Sequence, residues 1–292
     1  MAHGGDGTPD RAWRRRFHRA CRRHARDSRS ARGAGAPRAI APALQSRGHR
    51  SVGPPVGRPD IACFDTAFDA GHAPLFQAFA VDATLRDQGI RRYGFHGLSY
   101  EWIARVLASE HPDLARGRVV VGHLGNGASL CALKDGASVD TTMGMTALDG
   151  LPMGSRTGAI DPGAVTYMLR NLGMGSDDVE HALYERSGLK GLSGLSNDVK
   201  TLLESTASRA DFALDYFALK VAQFAAVMAV SMGGLDAVVF TGGVGENAGP
   251  VRDAILARLE FLRPFRTLII PANEERMLAI HGKALLEAGR GG

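Results

Sequence analysis

The sequence of 292 residues holds 35 lysines and arginines and 30 acidic residues, a formal net charge of +5. This positive balance comes from one end of the chain, because residues 1–60 hold 14 arginines and 4 aspartates, whereas residues 61–292 hold 21 basic and 26 acidic residues. A mildly acidic body argues against nucleic-acid binding by most of the chain. The 3 cysteines show no C-x-x-C spacing, which argues against a zinc site or a disulfide framework.

The first fifth of the chain differs from the rest in composition. Residues 8–58 are rich in arginine, alanine, glycine, proline and serine, and apolar residues recur there at neither helical nor strand spacing. Such a segment buries too little apolar surface to offset the entropy of ordering it. We therefore expect residues 1–59 to form a disordered, Arg-rich segment.

From Ile61 onward the pattern alternates between short strands and helices. In chain order, the predicted elements are a strand at 60–64, a helix at 99–110 capped by Ser99, a strand at 118–121, strands at 129–134 and 138–143 around an Asp135-Gly136 turn, a helix at 162–172 capped by Asp161, a long helix at 212–232, a strand at 235–240, a helix at 249–262, a strand at 267–271 and a helix at 274–288. This order predicts an α/β fold with a mixed or parallel sheet. The long helix carries Asp215, Lys220 and Gln223, which favours a core helix over a membrane span.

Two glycine-rich stretches follow buried strands, Gly122–Gly127 and Gly242–Asn247. Ligands of open α/β sheets bind at strand ends, and glycine lets backbone N–H groups approach an anion. One such stretch is often only a turn, but two on neighbouring strands, each with an asparagine, favour phosphate binding. Neither matches the usual phosphate-loop or dinucleotide patterns, so we expect a nucleotide site of another kind.

Three further polar stretches each offer one side chain suited to charge chemistry: Asp65, His96 and Arg156. Taken singly, Asp65 is a turn residue, His96 a partly buried histidine and Arg156 half of a surface ion pair. Glycines on both sides of His96 and of Arg156 leave room for a substrate, which favours a catalytic interpretation.

Several long motifs of the body occur together in a known order and spacing. They are FDTAF, RRYGFHGLSY, GHLGNGAS, DTTMGMTALDGLPMGSRTGAIDPG, the segment Ser187–Asp198, VVFTGGVGEN and IPANEE. Over about residues 60–292 the chain thereby resembles the acetate kinases. The resemblance implies a two-domain fold of the actin-like and sugar-kinase superfamily, here with an incomplete N-terminal domain, a nucleotide-binding and catalytic body at 60–274, and a C-terminal helix at 275–292 that returns to the N-terminal domain.

The same resemblance implies an activity and its residues. It implies reversible transfer of the γ-phosphoryl group of ATP to acetate, giving ADP and acetyl phosphate, with Mg²⁺ as cofactor. It also implies a cytoplasmic enzyme that is usually a homodimer and that associates with neither membrane nor nucleic acid. Asp65, His96 and Arg156 match the family's catalytic residues, and Glu274 its magnesium-linked glutamate. The family's ATP-contacting positions match His123, Leu124, Gly125, Asn126, Gly127, Asp198, Val199, Lys200, Gly243, Val244, Gly245, Glu246 and Asn247.

The chemistry of acetate limits what Asp65 does in such a reaction. A carboxylic acid with a pKa near those of Asp and Glu is already ionised at neutral pH and has no proton to lose. We therefore expect Asp65 to orient a metal-bound water or Arg156 rather than to act as a general base.

The chain also departs from the family. The N-terminal N-x-G-S-S-S-x-K loop of the family is missing, and its acetate-binding arginine would precede Met1. Tyr100 stands where the family has a second histidine, and Lys200 stands where many relatives have arginine.

The origin of the Arg-rich segment is a separate question. His3-Gly4-Gly5 matches the family and the match resumes near Ile61, so the leading hypothesis is that residues 8–58 are coding sequence read out of frame. An Arg-rich leader and a basic RNA-binding arm are the alternatives. We therefore expect impaired activity, and keep as alternatives a non-catalytic nucleotide-binding remnant and a kinase for another short carboxylate such as propionate.

Overall fold

The computed structural model of the protein describes residues 61–289. The Arg-rich segment predicted at 1–59 lies outside the described residues. The strands are β1 (Arg118–Leu124), β2 (Ala128–Lys134), β3 (Ala137–Thr141), β4 (Ala237–Thr241) and β5 (Arg266–Ile269). The helices are α1 (Pro74–Gln77), α2 (Ala83–Asp87), α3 (Gly97–Glu110), α4 (Pro162–Arg170), α5 (Ser176–Glu185), α6 (Gly188–Ser193), α7 (Val199–Leu203), α8 (Ser208–Met232), α9 (Gly242–Asn247), α10 (Gly249–Arg258) and α11 (Glu274–Gly289), with 3-10 turns at Leu114–Arg116 and Glu260–Leu262.

The strands form one mixed sheet in the order β3-β2-β1-β4-β5. Strands β1, β2 and β3 are successively antiparallel, whereas β4 runs parallel to β1 and β5 parallel to β4. Asp135 and Gly136 join β2 to β3 with φ angles of 53° and 72°, the two left-handed positions that a tight hairpin turn requires. The predicted α/β class, the mixed sheet and this hairpin are confirmed.

Helices cover both faces of the sheet because strand side chains alternate between the faces. Val120 packs in one core layer with α8 and α10, whereas Val119 and Val121 pack in the other with α3. Strand β1 is thus buried on both sides, which is why its sequence is a continuous apolar run rather than an alternating one.

One helix within residues 61–289, α8, is long and apolar enough by length and composition to cross a bilayer. Its most apolar window is 44% buried inside the protein, and Ala213, Phe217 and Val221 belong to the core layer that faces the sheet. These packed side chains account for part of the apolar character of the helix.

Three local predictions were wrong. Residues 61–64 form no strand but lead into a series of turns, because no neighbouring strand of the described sheet pairs with them. Helix α3 is capped by His96, in the left-handed conformation with φ 60°, rather than by Ser99. The second glycine stretch is not an open loop, since Gly242–Asn247 form the short helix α9.

Helix α11 packs against α3. The buried Glu101 on α3 accepts a hydrogen bond from His281 Nε2 on α11 at 2.8 Å, and the indole N–H of Trp102 donates to the carbonyl of Pro271 at 3.0 Å. The predicted boundary near residue 275 falls at the start of α11.

Candidate functional site

The two glycine-rich stretches lie side by side at one edge of the sheet. Strands β1 and β4 are parallel neighbours, and their registered residues end at the pair His123 and Thr241. Beyond that pair, β1 passes through Leu124 into the Gly125–Gly127 turn, and β4 passes directly into α9. The carboxyl ends of parallel strands are where ligands of α/β sheets bind, so the predicted placement of both stretches on neighbouring strands is confirmed.

His96 stands at the start of α3 and points toward the first glycine turn. Its Nδ1 lies 2.8 Å from the hydroxyl of Ser129 on β2. A Cβ placed on Gly127 would lie 3.3 Å from His96 Nε2, so glycine at this position keeps the turn close to the ring without crowding it. Burial, with smaller contributions from His123 and Arg156, lowers the pKa of His96 to about 3.

His123 lies against His96 in a stacked pair. The ring centroids are 4.4 Å apart with an interplanar angle of 25°. His123 Nδ1 lies 2.8 Å from the hydroxyl of Ser99 and 4.0 Å from a carboxylate oxygen of Glu274. Burial lowers the pKa of His123 to about 4, so both rings are neutral at physiological pH.

Asp65 and Glu274 form an acidic pair near the histidines. The main-chain carbonyl of Asp65 accepts from the N–H of Gly97 at 2.9 Å, and Asp65 Oδ1 is buried without a hydrogen-bond partner among the described residues. Burial raises the pKa of Asp65. Burial also raises the pKa of Glu274, and the charge of Asp65 raises it further, so the two carboxylates are close enough to repel each other.

This acidic pair fits Mg²⁺. Within residues 61–289 no group of three or more His, Cys, Asp or Glu side chains is arranged to hold a metal ion, so these residues offer at most two such ligands here. Mg²⁺ is ordinarily held by one or two carboxylates together with waters and substrate phosphates. An unpartnered oxygen on Asp65 and the partly exposed carboxylate of Glu274 match that donor set.

Arg156 lies in the loop after β3 and faces the histidines. Its guanidinium donates to the carbonyl of Ala147 at 3.2 Å and lies 6.0 Å from the ring centre of Tyr184. Its charge contributes to the low pKa of His96. The structure therefore brings Asp65, His96, His123, Arg156 and Glu274 to one edge of the sheet.

Close backbone packing joins the Arg156 loop to the first glycine turn. The N–H of Gly154 donates to the carbonyl of Asn126 at 3.0 Å, and a Cβ on Gly154 would lie 2.0 Å from Asn126 Oδ1. Asn197 Nδ2 donates to the same Oδ1 at 3.1 Å. Gly154 is thus a glycine because only a bare backbone fits there.

The other residues predicted to contact ATP occupy varied positions. Asp198 caps α7 by accepting from the N–H groups of Lys200 and Thr201, and Lys200 is exposed on that helix. The side chains of Leu124 and Val199 are buried in the core, so only their backbone is accessible to a ligand.

Helix α9 exposes a glycine to solvent, and hydrogen bonds to its Glu246 side chain hold the helix in place. Gly243 is exposed, and a Cβ there would meet nothing within 4 Å. Glu246 Oε1 accepts from the N–H groups of Gly242 and Ala272 at 2.9 Å each. Asn247 donates to the carbonyl of Gly243, while Val244 packs against the core and Gly245 is buried. Glu246 thus ties α9 to the segment that leads to Glu274.

The sequence reasoning missed the groups that hold the histidines. These are Ser99, Ser129 and the hydroxyl of Tyr100, which contacts Ser129. The signal was present only in part: Ser129 is a polar residue inside an otherwise apolar strand, but its partner lies far away in sequence.

Several known proteins resemble this chain in sequence. The model of the acetokinase family matches residues 51–279. The acetate kinase of Nitrobacter hamburgensis is 45% identical over 248 residues, which cover 78% of this chain and 61% of that protein, and the acetate kinase of Methylocella silvestris is 44% identical over the same shares. The chain thus spans about 61% of the length of these two relatives.

Solved structures share the fold. The crystal structure of Porphyromonas gingivalis acetate kinase superposes with a TM-score of 0.72 at 30% identity, over 76% of this chain and 63% of that one. A propionate kinase from Francisella tularensis superposes with a TM-score of 0.70 at 35% identity, over 74% of this chain and 62% of that one.

Proposed function

Because this chain belongs to the acetokinase family, we propose that it transfers the γ-phosphoryl group of ATP to acetate and back, giving ADP and acetyl phosphate. The observation that carries the proposal is the convergence of Asp65, His96, His123, Arg156 and Glu274 beside the Gly125–Gly127 turn and helix α9, at the ends of β1 and β4. Phosphoryl transfer needs in-line positioning and charge stabilisation more than covalent catalysis, and these groups supply both.

In the proposed reaction a carboxylate oxygen of acetate bonds to the γ-phosphorus while the bond to the β-phosphate oxygen breaks. Arg156 supplies a permanent positive charge, and the neutral rings of His96 and His123 supply N–H groups to the phosphoryl oxygens. Glu274 and Asp65 would hold Mg²⁺, which would supply positive charge beside the nucleotide phosphates. No proton is transferred, since acetate is already ionised, and Asp65 acts by orienting its neighbours.

The main test is an assay for acetyl phosphate with ATP, Mg²⁺ and acetate, beside calorimetry of nucleotide binding. In a version with residues 1–58 restored as the frame-shift hypothesis requires, we expect His96→Ala and Arg156→Ala each to lower kcat by at least about a hundredfold, as removal of one transition-state donor does, with little change in ATP affinity. Arg170→Ala, at the end of α4, is the matched control and should behave as the parent.

Two outcomes would contradict the proposal. A rise in KM for ATP at constant kcat would make His96 and Arg156 ground-state binding groups, and nucleotide binding without any transfer would favour a non-catalytic nucleotide-binding protein. A parallel version with residues 1–58 restored from the corrected reading frame separates a loss caused by that segment from a wrong assignment of the site.

Propionate is the second candidate acceptor. The observation in its favour is the superposition with a propionate kinase at a TM-score of 0.70. The same assay with propionate in place of acetate, compared as kcat/KM, decides between the two acids.

We also propose that the protein is a homodimer. The supporting observation is a row of exposed apolar side chains along α8, namely Phe212, Leu219, Val227 and Val230. Large exposed apolar patches mark interaction surfaces in soluble proteins.

A further inference from the structure

A chain of three hydrogen-bonding groups ends on His96. The hydroxyl of Tyr100 contacts the hydroxyl of Ser129, and that of Ser129 lies 2.8 Å from His96 Nδ1. Tyr100 and Ser129 are both 0% exposed, so water does not compete for these groups. The direction of the hydrogen bonds in this chain decides which ring nitrogen of His96 carries the proton.

Tyr100 fixes the direction at the first link. Among the described residues its hydroxyl has one hydrogen-bond partner, the oxygen of Ser129. Burial raises the pKa of Tyr100, so the phenol keeps its proton. A buried hydroxyl proton without an acceptor is unfavourable, so Tyr100 donates and Ser129 accepts.

The second link follows from the first. Ser129 has a single hydroxyl proton, and within residues 61–289 its oxygen contacts only Tyr100 and His96. Since Tyr100 is the donor in the first hydrogen bond, the proton of Ser129 is left for Nδ1 of His96. The reverse arrangement, with Nδ1–H donating, would leave the Ser129 proton buried without an acceptor.

We infer that Tyr100 and Ser129 are positioning residues that hold His96 in the tautomer with its proton on Nε2. That nitrogen is the one beside Gly127, in the first glycine turn. A neutral N–H therefore points at the place where the phosphate groups are proposed to lie. The use of this N–H as a donor to the phosphoryl group rests on the proposed function, whereas the tautomer does not.

His123 gives the comparison within the same site. Its Nδ1 lies 2.8 Å from the hydroxyl of Ser99 and 4.0 Å from Glu274, and no tyrosine hydroxyl among the described residues hydrogen-bonds to Ser99. Ser99 therefore either donates or accepts, and the tautomer of His123 is not set in the same way. The two stacked rings differ in how strictly their protons are placed.

The test is nitrogen NMR of the ring nitrogens in ¹⁵N-labelled protein, with the His96 signals identified by their loss in His96→Asn. In the parent protein we expect an unprotonated Nδ1 and a protonated Nε2 at neutral pH. In Tyr100→Phe, Ser129 is free to accept, so the Nδ1 signal should shift toward the protonated position. Tyr93→Phe is the matched control, because the Tyr93 hydroxyl donates to the carbonyl of Gly89 at 2.9 Å and does not contact Ser129.

Steady-state kinetics of the same variants provides a second test. Tyr100→Phe should lower kcat about tenfold while KM for ATP stays constant, in the range that loosened placement of one catalytic group produces, and Ser129→Ala should do the same. Tyr93→Phe should leave both constants unchanged.

The outcomes separate this inference from the proposed function. A protonated Nδ1 in the parent protein overturns the inference, and so do identical His96 spectra for Tyr100→Phe and Tyr93→Phe. The parent spectrum decides even if a variant fails to fold. Absence of phosphoryl transfer in a protein whose His96 shows the expected tautomer contradicts the proposed function and leaves the positioning role intact.

Discussion

Asp69 carries a carboxyl group that is almost fully removed from solvent, with 2% of its surface exposed. One oxygen accepts from the hydroxyl of Ser138 at 2.6 Å, and the other has no partner among the described residues. A Cβ on Gly94 would lie 2.0 Å from that second oxygen, so glycine is required there. Burial is the main cause that raises the pKa of Asp69 to about 8, and the folded protein therefore keeps this group protonated at neutral pH.

Replacement of Asp69 by asparagine should change how stability depends on pH. The pKa of Asp69 is about 8 in the folded protein and about 3.8 in the unfolded chain. Between these pH values the folded state binds more protons than the unfolded state. The free energy of unfolding of the parent therefore falls as pH rises, by up to about 1.4 kcal/mol per pH unit. Asp69→Asn has no such proton. We expect the stability of the variant relative to the parent to increase from about pH 5 to about pH 8, as measured by urea unfolding.

A surface aspartate provides the comparison for this experiment. Asp113 is exposed and pairs with Arg266, so Asp113→Asn should give a stability curve nearly parallel to that of the parent over the same range. If the stability curve for Asp69→Asn also runs parallel to that of the parent, the pKa of Asp69 is not raised in the folded protein.

At the scale of elements, helices α3 and α11 each begin at the site and are joined further along. His96 caps α3 and Glu274 is the first residue of α11. Beyond these ends, the buried pair Glu101 and His281 joins the two helices at 2.8 Å. The distance from the histidine stack to Glu274 therefore depends on how the two helices dock.

Glu101→Ala should loosen this docking. Glu101 is 1% exposed and accepts hydrogen bonds from both His281 and Arg105, so its removal disrupts a buried polar network, at a cost of about 3 kcal/mol in the free energy of unfolding. Glu101→Gln keeps an acceptor for His281 and should cost less. Urea unfolding measures both changes.

The exposed pair Lys283 and Glu287 on α11 is the control for the buried pair. Lys283→Ala should change stability by less than about 0.5 kcal/mol. An equally small effect of Glu101→Ala would show that α11 docks through its apolar side chains alone.

Elements with strong local signals were predictable from the sequence, and those that depend on distant partners were not. The valine run of β1 and the Asp135-Gly136 turn form as predicted because their conformations are set by neighbouring residues. The apolar stretch at 61–64 has the composition of a strand, but no strand of the described sheet pairs with it, and pairing is a property of the whole sheet.

The candidate site likewise combines residues that the sequence motifs predict with contacts that depend on distant parts of the chain. The motifs identified His96, Arg156 and Glu274 because each lies in a distinctive stretch of sequence. The contact between His96 and His123 joins residues from different elements, and the serine hydroxyls that hold the rings come from α3 and β2. Such contacts appear only when the chain is folded, which is why the sequence did not reveal Ser99 or Ser129.

At the scale of the whole molecule, the proposed homodimer predicts the effect of a charge on α8. Val230 is 80% exposed on the apolar face of this helix. Val230→Glu should convert a dimer to a monomer, because a carboxylate buried at an interface without a partner is strongly unfavourable. Size-exclusion chromatography with light scattering measures the mass of each variant.

Phe261→Glu is the control for general surface effects. Phe261 is 73% exposed and lies in the 3-10 turn after α10, away from the α8 row. We expect this variant to keep the mass of the parent. A monomeric parent protein, or a dimer that persists in Val230→Glu, would contradict dimerisation through α8.

The site residues are synthesised in the order in which they occur along the chain. Synthesis runs from the N-terminus and folding begins before the chain is finished. Asp65, His96, His123 and Arg156 all emerge well before Glu274, which opens the last described helix. A polypeptide released early, just short of residue 274, therefore keeps both stacked rings and the arginine but lacks the carboxylate that faces them. The nascent chain acquires Glu274, one of the two proposed Mg²⁺ ligands, last, after the sheet that supports the site has been synthesised.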